Sequence, residues 1–330
     1  MYCIEVENLK KAFSTKVKGE GFKQSLKSMF KPEYKTVDAV KDISFTVDSG
    51  EIMAFIGPNG AGKSTTIKML TGILHPNSGE VKVLGLDPTK KRRQLAGQIG
   101  TVFGQKSQLW FHLPPTDSFR LLGDIYEVSK NDYKARLNYL VDIFDIGDLL
   151  KTPVRKLSLG QRVRCEIAAS LLHQPKILFL DEPTIGLDVV VKQKIRELIL
   201  HINKEYNTTI FLTSHDAGDI EKICKRAMVI DHGTIVLDES VKKLKYDYLR
   251  RKIVSARFNE KQAPIDIKGV DIIQATDYAT SMHVDTEIIP INDVISMLSE
   301  GDNLADITIT DPPMEEIILE IFKKTAVESK

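Results

Sequence analysis

Ile4 and Val6 alternate with Glu5 and Glu7, a period of two that predicts a half-buried strand from Cys3 to Val6. A second strand is predicted at Ile43 to Val47, followed by a turn at Asp48-Ser49-Gly50 and a third strand through Ile52 to Ile56. From there to about residue 235, apolar strands alternate with helical patterns, the signature of an α/β domain on a largely parallel sheet. Val229 to Val236, with Gly233 in its middle, predicts a hairpin. One stretch near the start differs in character. Between Lys16 and Tyr34 lie Lys16, Lys18, Lys23, Lys27 and Lys31 against only Glu20 and Glu33, and Phe22, Leu26, Met29 and Phe30 share one face of a short helix. Past residue 250 the pattern changes again. Strands are expected at Ile253 to Phe258, Ser281 to Asp285 and Ile307 to Ile309, with one helix after Asn292 ending near Gly301. Another helix is expected with Asp311 as N-cap and Pro312 at its first position. The predicted division is a main domain over 1–245, carrying a basic insert at 16–36 and a helical subdomain at about 106–165, and a small α+β domain over 250–330.

Composition narrows the choice of partner. Of 330 residues, 42% are hydrophobic, enough for a core and too many for a disordered chain. Lys and Arg number 46 against 45 Asp and Glu, a net charge of +1, so no global polycation is available to grip nucleic acid. Apolar runs such as Ile177-Leu178-Phe179-Leu180 fall far short of the roughly 20 residues that span a bilayer. Met1 to Glu7 has neither the basic nor the apolar segment of a secretory leader, so a cytoplasmic location is expected. Cys3, Cys165 and Cys224 fit no disulfide framework or zinc site and are expected as reduced thiols.

Gly57-Pro58-Asn59-Gly60-Ala61-Gly62-Lys63-Ser64 follows an apolar strand and opens a helical pattern at Thr65. Glycines let backbone N–H groups wrap a phosphate, and the helix adds the positive end of its dipole. Lys63 is expected to supply charge for the β- and γ-phosphates, and Ser64 a hydroxyl for Mg²⁺. Such a loop needs a second metal-side carboxylate at a neighbouring strand tip. Asp181 ends the run Ile177 to Leu180 and meets that need, and Glu182 stands one residue further, placed to polarise an attacking water.

The remaining motifs decide among proteins with this loop. Leu157-Ser158-Leu159-Gly160-Gln161 precedes a helical pattern and lies shortly before the Asp181 strand. Asp181-Glu182-Pro183-Thr184-Ile185-Gly186-Leu187-Asp188 follows, and the strand Thr209 to Leu212 then runs into Thr213-Ser214-His215-Asp216. In this order, over about residues 1–240, the set resembles the nucleotide-binding subunit of ABC transporters, of bacterial exporter type with separate permease subunits. The resemblance implies a P-loop NTPase core of ABC type, α/β, with a largely parallel sheet, an antiparallel β subdomain, a helical subdomain and a small C-terminal α+β domain. It implies an ATPase that uses Mg²⁺ with ATP. Gly57 to Thr65 would bind nucleotide. Ser158, Gly160 and Gln161 would form the signature motif that completes the ATP site of another protomer. Gln105 would contact Mg²⁺ and the water, His215 would contact the γ-phosphate, and Asp188 would lie at the dimer interface. Phe13 would stack on adenine, with Tyr34 a rival for that role.

Three departures from the family pattern stand out: Leu159 where Gly is usual, Gly104 as an extra residue before Gln105, and the basic insert after Phe13. The resemblance further implies a second copy or a paralogous ATPase, integral-membrane permease subunits, a position on the cytoplasmic face of the membrane, and export of drug-like or other small molecules. Polysaccharide export is an alternative, as is a soluble non-transport ATPase. Trp110 and Phe111 are expected either in the core or in a groove receiving a permease helix. The lysine-rich helix is expected to pack on its own domain or to meet anionic lipid or the permease. His112, His173, His201 and His232 are expected at the surface or as caps, and Lys90 to Arg93 as a solvated helix start.

Overall fold

A computed structural model of the chain describes residues 1–16, 34–104, 107–214, 216–247, 251–261, 265–300 and 303–328. It forms two compact units, Met1–Asp238 and Glu239–Lys330. The lysine-rich helix expected around Phe22 to Phe30 lies outside the described residues.

In the first unit the elements run β1 (Tyr2–Lys16), β2 (Tyr34–Asp48), β3 (Ile52–Ile56), α1 (Lys63–Leu70), β4 (Ser78–Val83), α2 (Arg92–Ala96) and β5 (Ile99–Phe103). Next come α3 (Pro115–Ile125), α4 (Lys130–Phe144), α5 (Leu159–Leu171), β6 (Ile177–Asp181), α6 (Val189–Tyr206), β7 (Thr209–Thr213), α7 (Ala217–Ile223), β8 (Arg226–Asp231) and β9 (Thr234–Ser240). β1, β2 and β4 make an antiparallel sheet in the order β2-β1-β4. A six-stranded sheet has the order β5-β6-β7-β3-β8-β9, parallel from β5 through β8. β9 follows the His232–Gly233 turn, where both residues have positive φ, as a tight two-residue hairpin requires.

Burial explains why the strands read as unbroken apolar runs. All five residues of β3 and of β7 are buried, as are Ile177 to Leu180 of β6, the condition of an interior parallel strand covered on both faces. Phe45, Phe55, Phe179 and Phe211 pack with ring centroids 5.4–6.2 Å apart, and each buried ring of this size contributes about 2–3 kcal/mol.

The strand order positions the site. β7 lies between β3 and β6, and its last residue, Thr213, is in register with both Phe55 and Asp181. The loop leaving β3 and the acid ending β6 therefore emerge along one edge, at the carboxyl ends of parallel strands, where α/β sheets bind ligands.

The second unit contains α8 (Val241–Asp247), β10 (Arg251–Phe258), β11 (Val270–Ala275), β12 (Ala279–Asp285), α9 (Ile291–Ser299), β13 (Leu304–Thr310) and α10 (Met314–Glu328). Its antiparallel sheet has the order β11-β12-β10-β13. Val254, Ala256, Met282, Val284, Val294 and Leu298 are central to its core. The final helix begins at Met314 rather than at Pro312. Pro313 is the reason: a residue before proline is driven from the helical region, so Pro312 stays outside and the Pro313 carbonyl accepts the first bonds, from Glu316 and Ile317.

Candidate functional site

The loop after β3 closes on a helix start that only glycine permits. Gly62, the N-cap of α1, has φ +111°, and a Cβ there would stand 2.4 Å from the Ala39 carbonyl oxygen. Lys63 Nζ turns back into the loop, donating to the carbonyls of Gly57 at 2.6 Å and Pro58 at 3.2 Å, and it lies 3.9 Å from Glu182 Oε1. Burial pushes the lysine's pKa down, while Glu182 and Asp181 partly offset that by favouring its charged form.

A cavity of about 580 Å³ opens over this loop. Phe13, Asn59, Gly60, Gly62, Lys63, Ser64, Thr65, Asp181 and Glu182 all line it. Gly57, Pro58 and Ala61 stand outside the lining: the first two hold Lys63 by their carbonyls, and Ala61 is buried beneath the loop. Of the two aromatic rivals, Phe13 reaches the cavity, 39% exposed, with Lys11 Nζ 5.4 Å from its ring centre. Tyr34 pairs with Lys16 at the far end of the β1–β2 ladder and does not line it.

The two strand-tip acids are held differently. Asp181 Oδ1 accepts from Thr213 Oγ1 at 2.6 Å. The Glu182 backbone N–H donates to both the carbonyl and the hydroxyl of Thr213, each at 3.1 Å. Glu182 has φ +55°, the left-handed region that non-glycine residues rarely occupy, and such strain collects at functional sites. Gly104 lies against the same turn. Its N–H donates to the Asp181 carbonyl at 2.9 Å, and a Cβ there would meet the Asp181 and Glu182 carbonyl oxygens at 2.8 and 2.9 Å. The extra residue before Gln105 is thus the place where β5 passes the acidic turn. Gln105 itself and His215 lie outside the described residues.

Ser158 caps α5, accepting from the Gln161 N–H at 3.2 Å while the Gln161 side chain accepts from the Ser158 N–H at 2.9 Å, a full capping box. Gly160 lets this helix start lie against Val191, 2.7 Å from where its Cβ would be. The unusual Leu159 rests over Gly186, which explains how a large residue is accommodated there. Asp188 caps α6 by accepting from the Val191 N–H at 3.0 Å. None of Ser158, Gly160, Gln161 or Asp188 lines the cavity over the phosphate loop.

A set of residues not singled out from sequence fastens the segment after β7. Asp219, fully buried, accepts from Thr184 Oγ1 at 2.5 Å, Ser214 Oγ at 2.7 Å and Arg196 Nε at 2.6 Å. Arg196 also reaches Asp216 Oδ1 at 3.0 Å, and Asp216 is ion-paired with Lys192 at 2.5 Å. Thr213 also belongs to the site, and its signal in the sequence is a hydroxyl directly after the apolar run Ile210 to Leu212.

Two expectations change. Trp110 and Phe111 are 40% and 50% exposed, so they are not core. His173 is neither surface nor cap. It stacks on Tyr126 at 3.8 Å and bonds the Ile99 carbonyl at 2.9 Å, and burial pushes its pKa down.

Residues 40–185 match the family model described as ABC transporter. The ABC transporter ATP-binding protein NatA of Bacillus subtilis (strain 168) is 32% identical over 63% of this chain and 84% of that protein. The methionine import ATP-binding protein MetN 2 of Enterococcus faecalis is 32% identical over 83% of this chain and 74% of that protein. Among solved structures, cbiO1 of Clostridium perfringens, described as part of the ABC transporter complex cbiONQ, superposes with a TM-score of 0.60 at 27% identity, over 74% of this chain and 90% of that one.

Proposed function

The chain belongs to the ABC transporter family as an ATP-binding, ATP-hydrolysing subunit, and from that premise we propose that two copies close around two MgATP, each phosphate loop facing the other copy's signature helix. The observation that carries this reading is the cavity over Gly60 to Thr65, which holds loop, strand-tip acids and Phe13 but no residue of Ser158 to Gln161. A helix N-terminus is an anion site, and the α5 start, capped by Ser158, is available for a phosphate from another copy. Asp188 then lies in the shared interface.

The donor set fits Mg²⁺. Ser64 and Asp181 bring two hard oxygen donors to one cavity, and no larger cluster of metal-binding residues occurs among the described residues. This suits an ion that keeps waters and takes its other ligands from phosphates. When bound, the ion neutralises charge on the β- and γ-phosphates. Lys63 exchanges its two carbonyl contacts for phosphate oxygens. Glu182 orients and deprotonates the attacking water, with its position fixed by the Thr213 contacts. Gln105 and His215 add contacts to the water and to the γ-phosphate, and Phe13 stacks on adenine.

Among the described residues no helix is long and apolar enough to cross a membrane. The transport path is assigned to separate membrane-spanning subunits, with this chain on the cytoplasmic face, and the exposed Trp110 and Phe111 are suited to meet them. Export of a small molecule is the direction that the resemblance of the motif-bearing residues implies. Import is the second reading, favoured by one observation: the match to MetN 2 covers 83% of this chain, more than the 238 residues of the first unit account for.

Size-exclusion chromatography of Glu182→Gln with and without MgATP tests the dimer. An ATP-dependent shift to twice the mass, lost when Ser158→Arg is added, supports the reading. A monomer under every condition overturns it. Transport measured with the co-purified membrane subunits, in vesicles of known orientation, decides the direction.

A further inference from the structure

We propose that a second cavity in the first unit, of about 370 Å³ and remote from the phosphate loop, is an effector site for a compact aromatic monoanion. Its volume lies in the range of small-ligand pockets, roughly 300–1,000 Å³. Tyr139 of α4 and Tyr206 of α6 form an aromatic wall, their rings edge to face with centroids 5.9 Å apart. Arg136 and Lys176 bring two cations, and no aspartate or glutamate lines the cavity among the described residues.

Arg136 is held ready rather than used up. Its guanidinium donates to the Leu172 carbonyl at 2.9 Å and to Gln174 Oε1 at 2.8 Å. A guanidinium has about five N–H donors in a planar fork, which leaves enough to meet a carboxylate or sulfonate. Lys176, on the exposed rim, supplies a mobile second charge. Two tyrosine rings and two cations in one lining match a ring that carries one acidic group.

The place of the cavity in the fold is what makes it an effector site. Lys176 directly precedes β6, which ends about 17 Å away at Asp181 by the rise of a strand. Thr209, also in the lining, begins β7, which ends at Thr213. Leu171 ends α5, whose other end is capped by Ser158, and Tyr206 ends α6, whose other end is capped by Asp188. Four elements therefore meet at the cavity by one end and carry proposed site residues at the other. A ligand that bridges α4 to the β6 and β7 starts fixes the helical segment against the strands that present the acids. Turnover then depends on whether that arrangement favours closure.

The test uses the full chain and naphthalene-2-sulfonate as probe, by isothermal titration calorimetry. For a ligand of some 14 non-hydrogen atoms that binds with the per-atom efficiency of a drug-sized compound, a Kd of about 1 mM is expected. Lys176→Glu, at an exposed position, weakens binding about tenfold or more by reversing the charge, and Arg136→Gln does the same. Binding persists beside a non-hydrolysable ATP analogue, and neutral 2-naphthalenemethanol binds more weakly than the sulfonate. At saturation the probe changes the ATPase rate at least about twofold in the wild type and not in Lys176→Glu. Displacement by the nucleotide analogue, indifference to both substitutions, equal binding of the neutral compound, or absence of heat at about 10 mM, ten times the expected Kd, overturns the proposal. Binding with no change in turnover overturns it as an effector site.

Discussion

Two acidic groups follow neighbouring strands of one sheet, and they are built for opposite ends. Asp181, the last residue of β6, and Glu182, the next, line an open cavity beside Lys63, with Glu182 on a left-handed backbone. Asp219, beyond β7, is sealed from solvent and receives three short hydrogen bonds from Thr184, Ser214 and Arg196. The difference teaches how burial assigns roles to the same side-chain chemistry. A sealed carboxylate that receives three hydrogen bonds holds a structure together, whereas one that lines a cavity can act on what enters it.

Breaking each group separately sharpens the contrast. Glu182→Gln is expected to lower ATP hydrolysis by about 100-fold or more, while the melting temperature moves by only about 2 °C. A parallel collapse of stability would show that the strand-tip acids also hold the fold. Asp219→Ala leaves Arg196 buried without its main partner, so urea unfolding should report a loss of about 3–5 kcal/mol. A cost below about 1 kcal/mol, the level of an exposed ion pair, would erase the distinction. Thr213→Val removes the donor to Asp181 and should cost about tenfold in turnover, the equivalent of one hydrogen bond to a charged group, with rescue by Thr213→Ser.

The smallest effect concerns Glu166, on α5. Burial raises its pKa, and Arg162 Nε is 3.7 Å from its carboxylate. A raised folded-state pKa means stability that is present below the unfolded value and is lost as pH climbs through the folded one. Glu166→Gln should therefore raise the melting temperature at pH 8 by a few degrees, about 1 kcal/mol or less, and by less at pH 5. An equal gain at both values would mean that the carboxylate's ionisation contributes nothing.

What was legible beforehand follows the same division. The phosphate loop and the Asp181–Glu182 pair are written in consecutive residues, because local backbone and adjacent side chains make those sites. The Asp219 group draws Thr184, Arg196 and Ser214 from separate segments that only the tertiary fold unites, so no spacing announces it. β11 carries no clear strand pattern in the sequence because it is an edge strand with Ile272 and Ile273 both half exposed, which blurs the alternation that marks a strand. Pro312 has the sequence position of a helix start, yet Pro313 bars it from the helical region and the helix begins at Met314. Phe13 is the residue expected beside adenine, with Tyr34 its rival; Phe13 lines the cavity, while the pairing of Lys16 with Tyr34 carries Tyr34 to the far end of the ladder.

The left-handed turn at Glu182 has a consequence for protein engineering. Glycine is the residue that its φ of +55° suits best. A campaign that selects variants on thermal stability alone should be drawn to Glu182→Gly, relieving about 1 kcal/mol of backbone strain and discarding the proposed base in the same step. In a deep mutational scan, position 182 should separate the two selections completely. Abundance should tolerate glycine, and growth that depends on transport should accept glutamate alone.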